Sequence, residues 1–240
     1  MKMKVAMQGE QVHEDLWDII AARGFEKDTY FEQAVYEHRG FPKLEGTRHV
    51  NMSLITKLIP SFMFNSVEMP EVGRISGNSD DTYMFHQGKT RGYAQTKFHN
   101  YMPAYNSLAH LPNVKTYIEQ INAYKNYLLI SGDNLDHQMK DFDYLLAVGE
   151  LFTMVAYGQL IIESAGMEGI SNEVMNQMFD MFVRDFSAYA VNLYDKPGNS
   201  PAQYEAILEM IKHPAPSTAE FEKVLLEEIY CLVDTYIQNS

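Results

Sequence analysis

The chain has 240 residues, 46% of them apolar and 12% aromatic, enough to bury a substantial core and too apolar for general disorder. Its 19 basic and 32 acidic residues leave a net charge of −13, which argues against nucleic acid or an anionic membrane surface as partner, though not against a local basic pocket for a phosphorylated ligand. Cys231 is the only cysteine, so neither an internal disulfide nor a cysteine-based metal cluster is available.

Residues 5–22 place Val12, Leu16, Ile19 and Ile20 at helical spacing, with Arg23-Gly24 as the stop. The start has no signal-peptide pattern, which predicts a cytoplasmic protein. A short helix is expected from Asp28 through Val35, ended by Pro42. Another is expected over 45–59, with Val50, Leu54 and Leu58 on one face and Pro60 closing it. From about 61 to 91 the periodicity dissolves into turn formers, a long irregular stretch that reads as a covering loop or a segment wrapping a partner.

The second half reads as helical throughout. The spacing predicts helices over 113–129, 135–165, 172–194 with Ser171 as cap, 202–212 and 221–237. The stretch "LLAVGELFTMVAYGQLII", 145–162, is nearly long enough to cross a membrane. It carries Glu150, Gln159 and two glycines and has no flanking basic cluster, so a buried helix is expected rather than a span. Short breakers between long amphipathic helices predict an all-α, antiparallel bundle. Three units are expected: 1–60, a connector at 61–112, and a C-terminal bundle over 113–240.

Most catalytic signatures are missing. The eight histidines form no pair at helical spacing, and a bundle di-iron site needs Glu-x-x-His on each of two helices, which the chain lacks. Gly88-Lys89-Thr90 ends like a phosphate loop, but the required first glycine is Tyr83. Gly-x-Gly-x-x-Gly and Gly-x-Ser-x-Gly are absent. Met and aromatic residues at helical spacing in 178–186 read as core, and Arg184-Asp185 as a buried or interfacial ion pair. Glu45 has two readings. It is a first-turn helix acid favoured by the macrodipole, or a carboxylate on a Pro-led turn, in an apolar cleft that raises its pKa enough to abstract a proton α to a carbonyl.

The segment "RGFEKDTYFEQAVYEHRGFPKLEGT", 23–47, resembles the C-terminal segment of acyl-CoA dehydrogenases, where a Gly-Phe element leads through a short helix to a Glu-Gly-Thr turn. Two later runs, "LLAVGELFTMVAYGQLIIESA" and "MFDMFVRDFSAYAVNLYDKP", resemble the far C-terminal helices of a longer bacterial subgroup. The resemblance runs from about residue 5 to the end. It implies desaturation of an acyl-CoA thioester with FAD as hydride acceptor and Glu45 as the α-proton base. It also implies that Gly46 and Thr47 form the turn meeting substrate and flavin, and that Gly24 approaches the FAD pyrophosphate. Two departures stand out: the family's Gly-Gly-x-Gly run reads Ala-Ala-Arg-Gly at 21–24, and Arg48-His49, read as solvated in preference to phosphate-binding, follows the turn. Nothing in the chain resembles the family's N-terminal helical domain or its flavin-holding β-domain. The expectation is therefore a fragment or subunit that needs an N-terminal or β-domain partner chain, in a homo- or hetero-oligomer. The alternative is a non-catalytic helical interaction module derived from the same fold.

Overall fold

The computed structural model describes residues 2–44, 46–68 and 96–233. Among these residues every regular element is helical and no strand occurs. The all-α class is therefore observed.

An N-terminal hairpin comes first. Helix α1 (Lys2–Ile20) passes through a 3-10 turn at 21–25 to α2 (Tyr30–Gly40), which Thr29 starts by accepting a hydrogen bond from the Glu32 amide. The two helices pack on one another and on the 3-10 turns flanking α2. Trp17, Phe25 and Phe31 cluster at the closed end, and Arg39–Glu14 (2.8 Å) and Lys43–Glu10 pair across the gap. The expected apolar stripe of α1 is not a core face: Val12, Leu16 and Ile19 are 53%, 42% and 78% exposed.

Helix α3 (Arg48–Ile55) continues through a 3-10 turn into α4 (Ile59–Met63). Pro60 does not close this run. It occupies the first turn of α4, where a missing amide proton costs nothing because that group has no helical partner. The buried edge of α3 is also rotated from the one expected. Met52, Thr56 and Ile59 face inward while Val50 and Leu54 face out. Met63, at the start of the stretch expected to be irregular, is helical and buried at the end of α4, and residues 69–91 of that stretch lie outside those described.

The bundle is formed by α5 (Met102–Ser107), α6 (Pro112–Gln138), α7 (Phe142–Glu168), α8 (Asn172–Tyr194), α9 (Pro201–Leu208) and α10 (Thr218–Val224). Helix α8 is central, packing on α6, α7, α9 and α10, while α3 packs on α7. The single helix expected over 135–165 is two helices. Asp141 breaks the run and caps α7 through its carboxylate, which accepts from the Asp143 amide at 2.8 Å. Helix α6 kinks at Gly132 instead. Ser171 caps α8 as expected, and Gly169 ends α7 in the left-handed conformation. The final helix is shorter than expected, passing at Leu225 into a π turn and then a 3-10 turn. By length and composition α7 could cross a membrane, but 67% of its most apolar window is buried against its neighbours.

The core is dominated by aromatic rings. Tyr105, Tyr117, Tyr124, Tyr127, Phe179 and Phe186 are fully buried, with Tyr117 meeting Phe179 and Phe186 edge-on at 5.3 and 5.5 Å. Most of the tyrosine hydroxyls are satisfied: Tyr105 donates to the Val155 carbonyl at 2.6 Å and Tyr124 to that of Val148 at 3.0 Å. Buried amides fix the register between helices. Gln120 of α6 donates to the carbonyls of Val183 and Met210, and Gln138 and Gln203 exchange hydrogen bonds at 3.1 and 2.9 Å. An amide buried without partners costs roughly 1–3 kcal/mol, so a slipped register is penalised.

Candidate functional site

The turn between the hairpin and α3 holds most of the residues singled out in the sequence. Glu45 itself lies outside the described residues. Gly46 has φ of +113°, a conformation side chains disfavour, and the Asn51 side-chain amide donates to its carbonyl at 2.9 Å. Thr47 occupies the N-cap of α3 in an extended conformation, and its side chain makes no capping hydrogen bond.

Gly24 sits elsewhere, in the 3-10 turn at the closed end of the hairpin. Helix α2, which separates it from Gly46, has 11 residues and so spans roughly 16 Å. A Cβ on Gly24 would overlap the Trp17 indole. The absence of a side chain there has a local cause, which is the close seating of Trp17, whose indole nitrogen is buried without a partner. For FAD the fit is divided. The Gly46–Thr47 backbone fits close approach, since a Cβ on Gly46 would meet nothing nearer than 3.5 Å. Gly24, buried under an indole, does not fit contact with a pyrophosphate.

What anchors the turn was not read from the sequence. Arg48, the first residue of α3, donates from Nε (3.0 Å) and Nη2 (2.7 Å) to one carboxylate oxygen of Glu150 on α7. Glu150 is 0% exposed, and its second oxygen is buried without a hydrogen bond. Lys4, near the start of α1 and only 3% exposed, reaches the Tyr189 hydroxyl of α8 at 2.5 Å and lies 4.5 Å from that ring's centre. Burial pulls the Lys4 pKa down, and the fields of Glu150 and Asp185 oppose this. Burial likewise pushes Asp185 up, against the field of Lys4. Two cations and two carboxylates thus gather where α1, α3, α7 and α8 meet.

This arrangement corrects two expectations. Arg48, its side chain 39% exposed, is not merely solvated but ion-paired with buried Glu150, and Arg184 pairs with Asp180 at 2.6 Å rather than with Asp185. The available signal was Glu150 itself, a lone carboxylate in an apolar helix that needs a cation from another element. Among the described residues, no group of three or more His, Cys, Asp or Glu side chains is placed to hold a metal ion. Neither a protein-family model, nor a curated protein, nor a solved structure matches this chain.

Proposed function

We propose that the chain is the C-terminal helical part, or a subunit, of a flavin-dependent acyl-CoA dehydrogenase, with Glu45 as the base that removes the α-proton of an acyl-CoA thioester. The observation carrying this reading is the turn at 46–47. Gly46 adopts a backbone that favours glycine, directly after the candidate base and before the N-terminus of α3. Gly46, next in sequence to Glu45, offers a backbone that another molecule can approach. The positive end of α3 favours negative charge developing on a thioester carbonyl. Arg48, tied to buried Glu150, holds the turn in place on the bundle. When bound, FAD supplies the hydride acceptor; Gly46 and Thr47 are this chain's contribution to its surface, and Gly24 is left out of that surface.

The exposed apolar residues of the hairpin support a partner chain. Val12, Leu16 and Ile19 on α1, with Phe25 and Tyr30 at its closed end, are uncovered, as expected of a chain that completes its structure with an N-terminal or β-domain partner. The second reading is a non-catalytic helical interaction module, favoured by the seating of Trp17 on Gly24. Co-expression with the polypeptide encoded immediately upstream separates the two. Under the first reading the complex carries flavin that acyl-CoA bleaches, and Glu45→Gln keeps the flavin but loses the bleaching. A stable complex without flavin, or bleaching that survives Glu45→Gln, overturns it.

A further inference from the structure

A second cavity owes nothing to the turn. Between the α3–α4 run and α7 lies a space of about 220 Å³ whose walls include Leu58, Phe62, Phe98, Phe152 and Ala156. Phe98 and Phe152 meet Phe62 edge-on, with ring centres 5.3 and 5.4 Å from it. Polar groups enter on one side only. The buried Gln159 side chain donates to Glu163 at 2.8 Å, and His99 Nε2 stands 2.7 Å from the Gln159 amide and 2.9 Å from the same Glu163 oxygen. His99 Nε2 serves one of these neighbours at a time: protonated it donates to Glu163, unprotonated it accepts from Gln159. Among the described residues, the other oxygen of Glu163 makes no hydrogen bond. His99 also lines a wider cleft edged by Glu68 and Glu163, and no described lysine or arginine lines either space.

Among the described residues, aromatic walls, an acidic rim and the lack of a lysine or arginine in the lining set the ligand chemistry. A carboxylate or phosphate would face Glu163 and Glu68 with only His99 to answer it. A cation gains from the carboxylates and from the aromatic rings, and is favoured at longer range by the net charge of −13. We propose that this pocket binds an alkylammonium, with its aliphatic body among the phenylalanines and its nitrogen at the rim against the free oxygen of Glu163. Benzene fits a cavity of about 150 Å³, so a space somewhat larger takes a body of about six to eight carbons. The proposal is independent of the reaction proposed above.

The test is calorimetric titration of the full chain with hexylamine and with hexanoate, a comparator of the same length and opposite charge. It is run at about pH 8, where an alkylamine is still cationic. Hexylamine is expected to saturate with Kd of about 1 mM or tighter, and hexanoate to bind at least about tenfold more weakly. Glu163→Gln, at a partly exposed position that leaves the fold intact, should weaken hexylamine about fivefold or more and narrow the gap to hexanoate. Ala156→Phe, which fills the cavity, should abolish binding of both. Hexanoate binding as tightly as hexylamine, hexylamine binding unaffected by Glu163→Gln, or no saturation by hexylamine overturns the proposal.

Discussion

The hairpin at 2–40 and the helices at 112–194 both carry apolar residues at helical spacing, yet only the second set buries its own. In α8 the inward line of Met175, Phe179, Phe182, Phe186 and Ala190 is closed off by α6, α7 and α9. In α1 the line of Val12, Leu16 and Ile19 faces outward, and what the protein buries there is the start of the helix, Met3 and the charged Lys4. Amphipathic spacing states that a face needs covering; the cover has to come from another element. The bundle supplies its own cover. The hairpin is attached to it through Lys4, Tyr189, Arg48 and Glu150, and its apolar residues remain open to a partner.

Substitutions in the two regions should differ accordingly. Phe186→Ala removes a fully buried ring from the bundle and is expected to cost about 3–5 kcal/mol in chemical denaturation. Glu150→Ala leaves Lys4 buried without the carboxylate that supports its charge, and about 3 kcal/mol is expected, less if Arg48 turns to solvent. Asp185→Asn should show itself in the pH dependence. The folded pKa of Asp185 lies above its ordinary value of 3.8, so between those two values the folded state holds a proton that the unfolded chain has lost. Its contribution to stability is full below the ordinary value and disappears as pH rises through the folded pKa. Asn at 185 should flatten that part of the stability–pH curve. Leu16→Ala, on the uncovered face of α1, should change stability by no more than about 0.5 kcal/mol.

How much the sequence disclosed follows the same division. Helix class was readable throughout, and a boundary was readable where its cap is local, as at Ser171. Asp141 was an equally local cap, overlooked because the apolar pattern continues on both sides of it. Which face of each helix turns inward was less readable. Met181 and Val50 have the right spacing but are exposed, because the buried faces are set by neighbouring helices rather than by the helix itself. The turn at Gly46 was suggested by the Pro-led segment and the family resemblance, while helical spacing placed Gly46 and Thr47 inside a helix that in fact begins at Arg48. The anchor of the turn was not legible, because Arg48 and Glu150 are about a hundred residues apart and meet only through the packing of α3 on α7. The reading of Gly24 was incomplete for a related reason, since Trp17 lies across the hairpin turn from it.

Native-state hydrogen exchange on the full chain and on Glu150→Ala tests the division most directly. Amides of α6, α7 and α8 should open only with global unfolding. Those of α1 and α2 should open in a separate step of lower free energy, which Glu150→Ala lowers further than it lowers global stability. Hairpin amides that exchange at the same free energy as the bundle, or that open no more easily in Glu150→Ala, would contradict the claim that a few buried charges hold the hairpin and its turn in place.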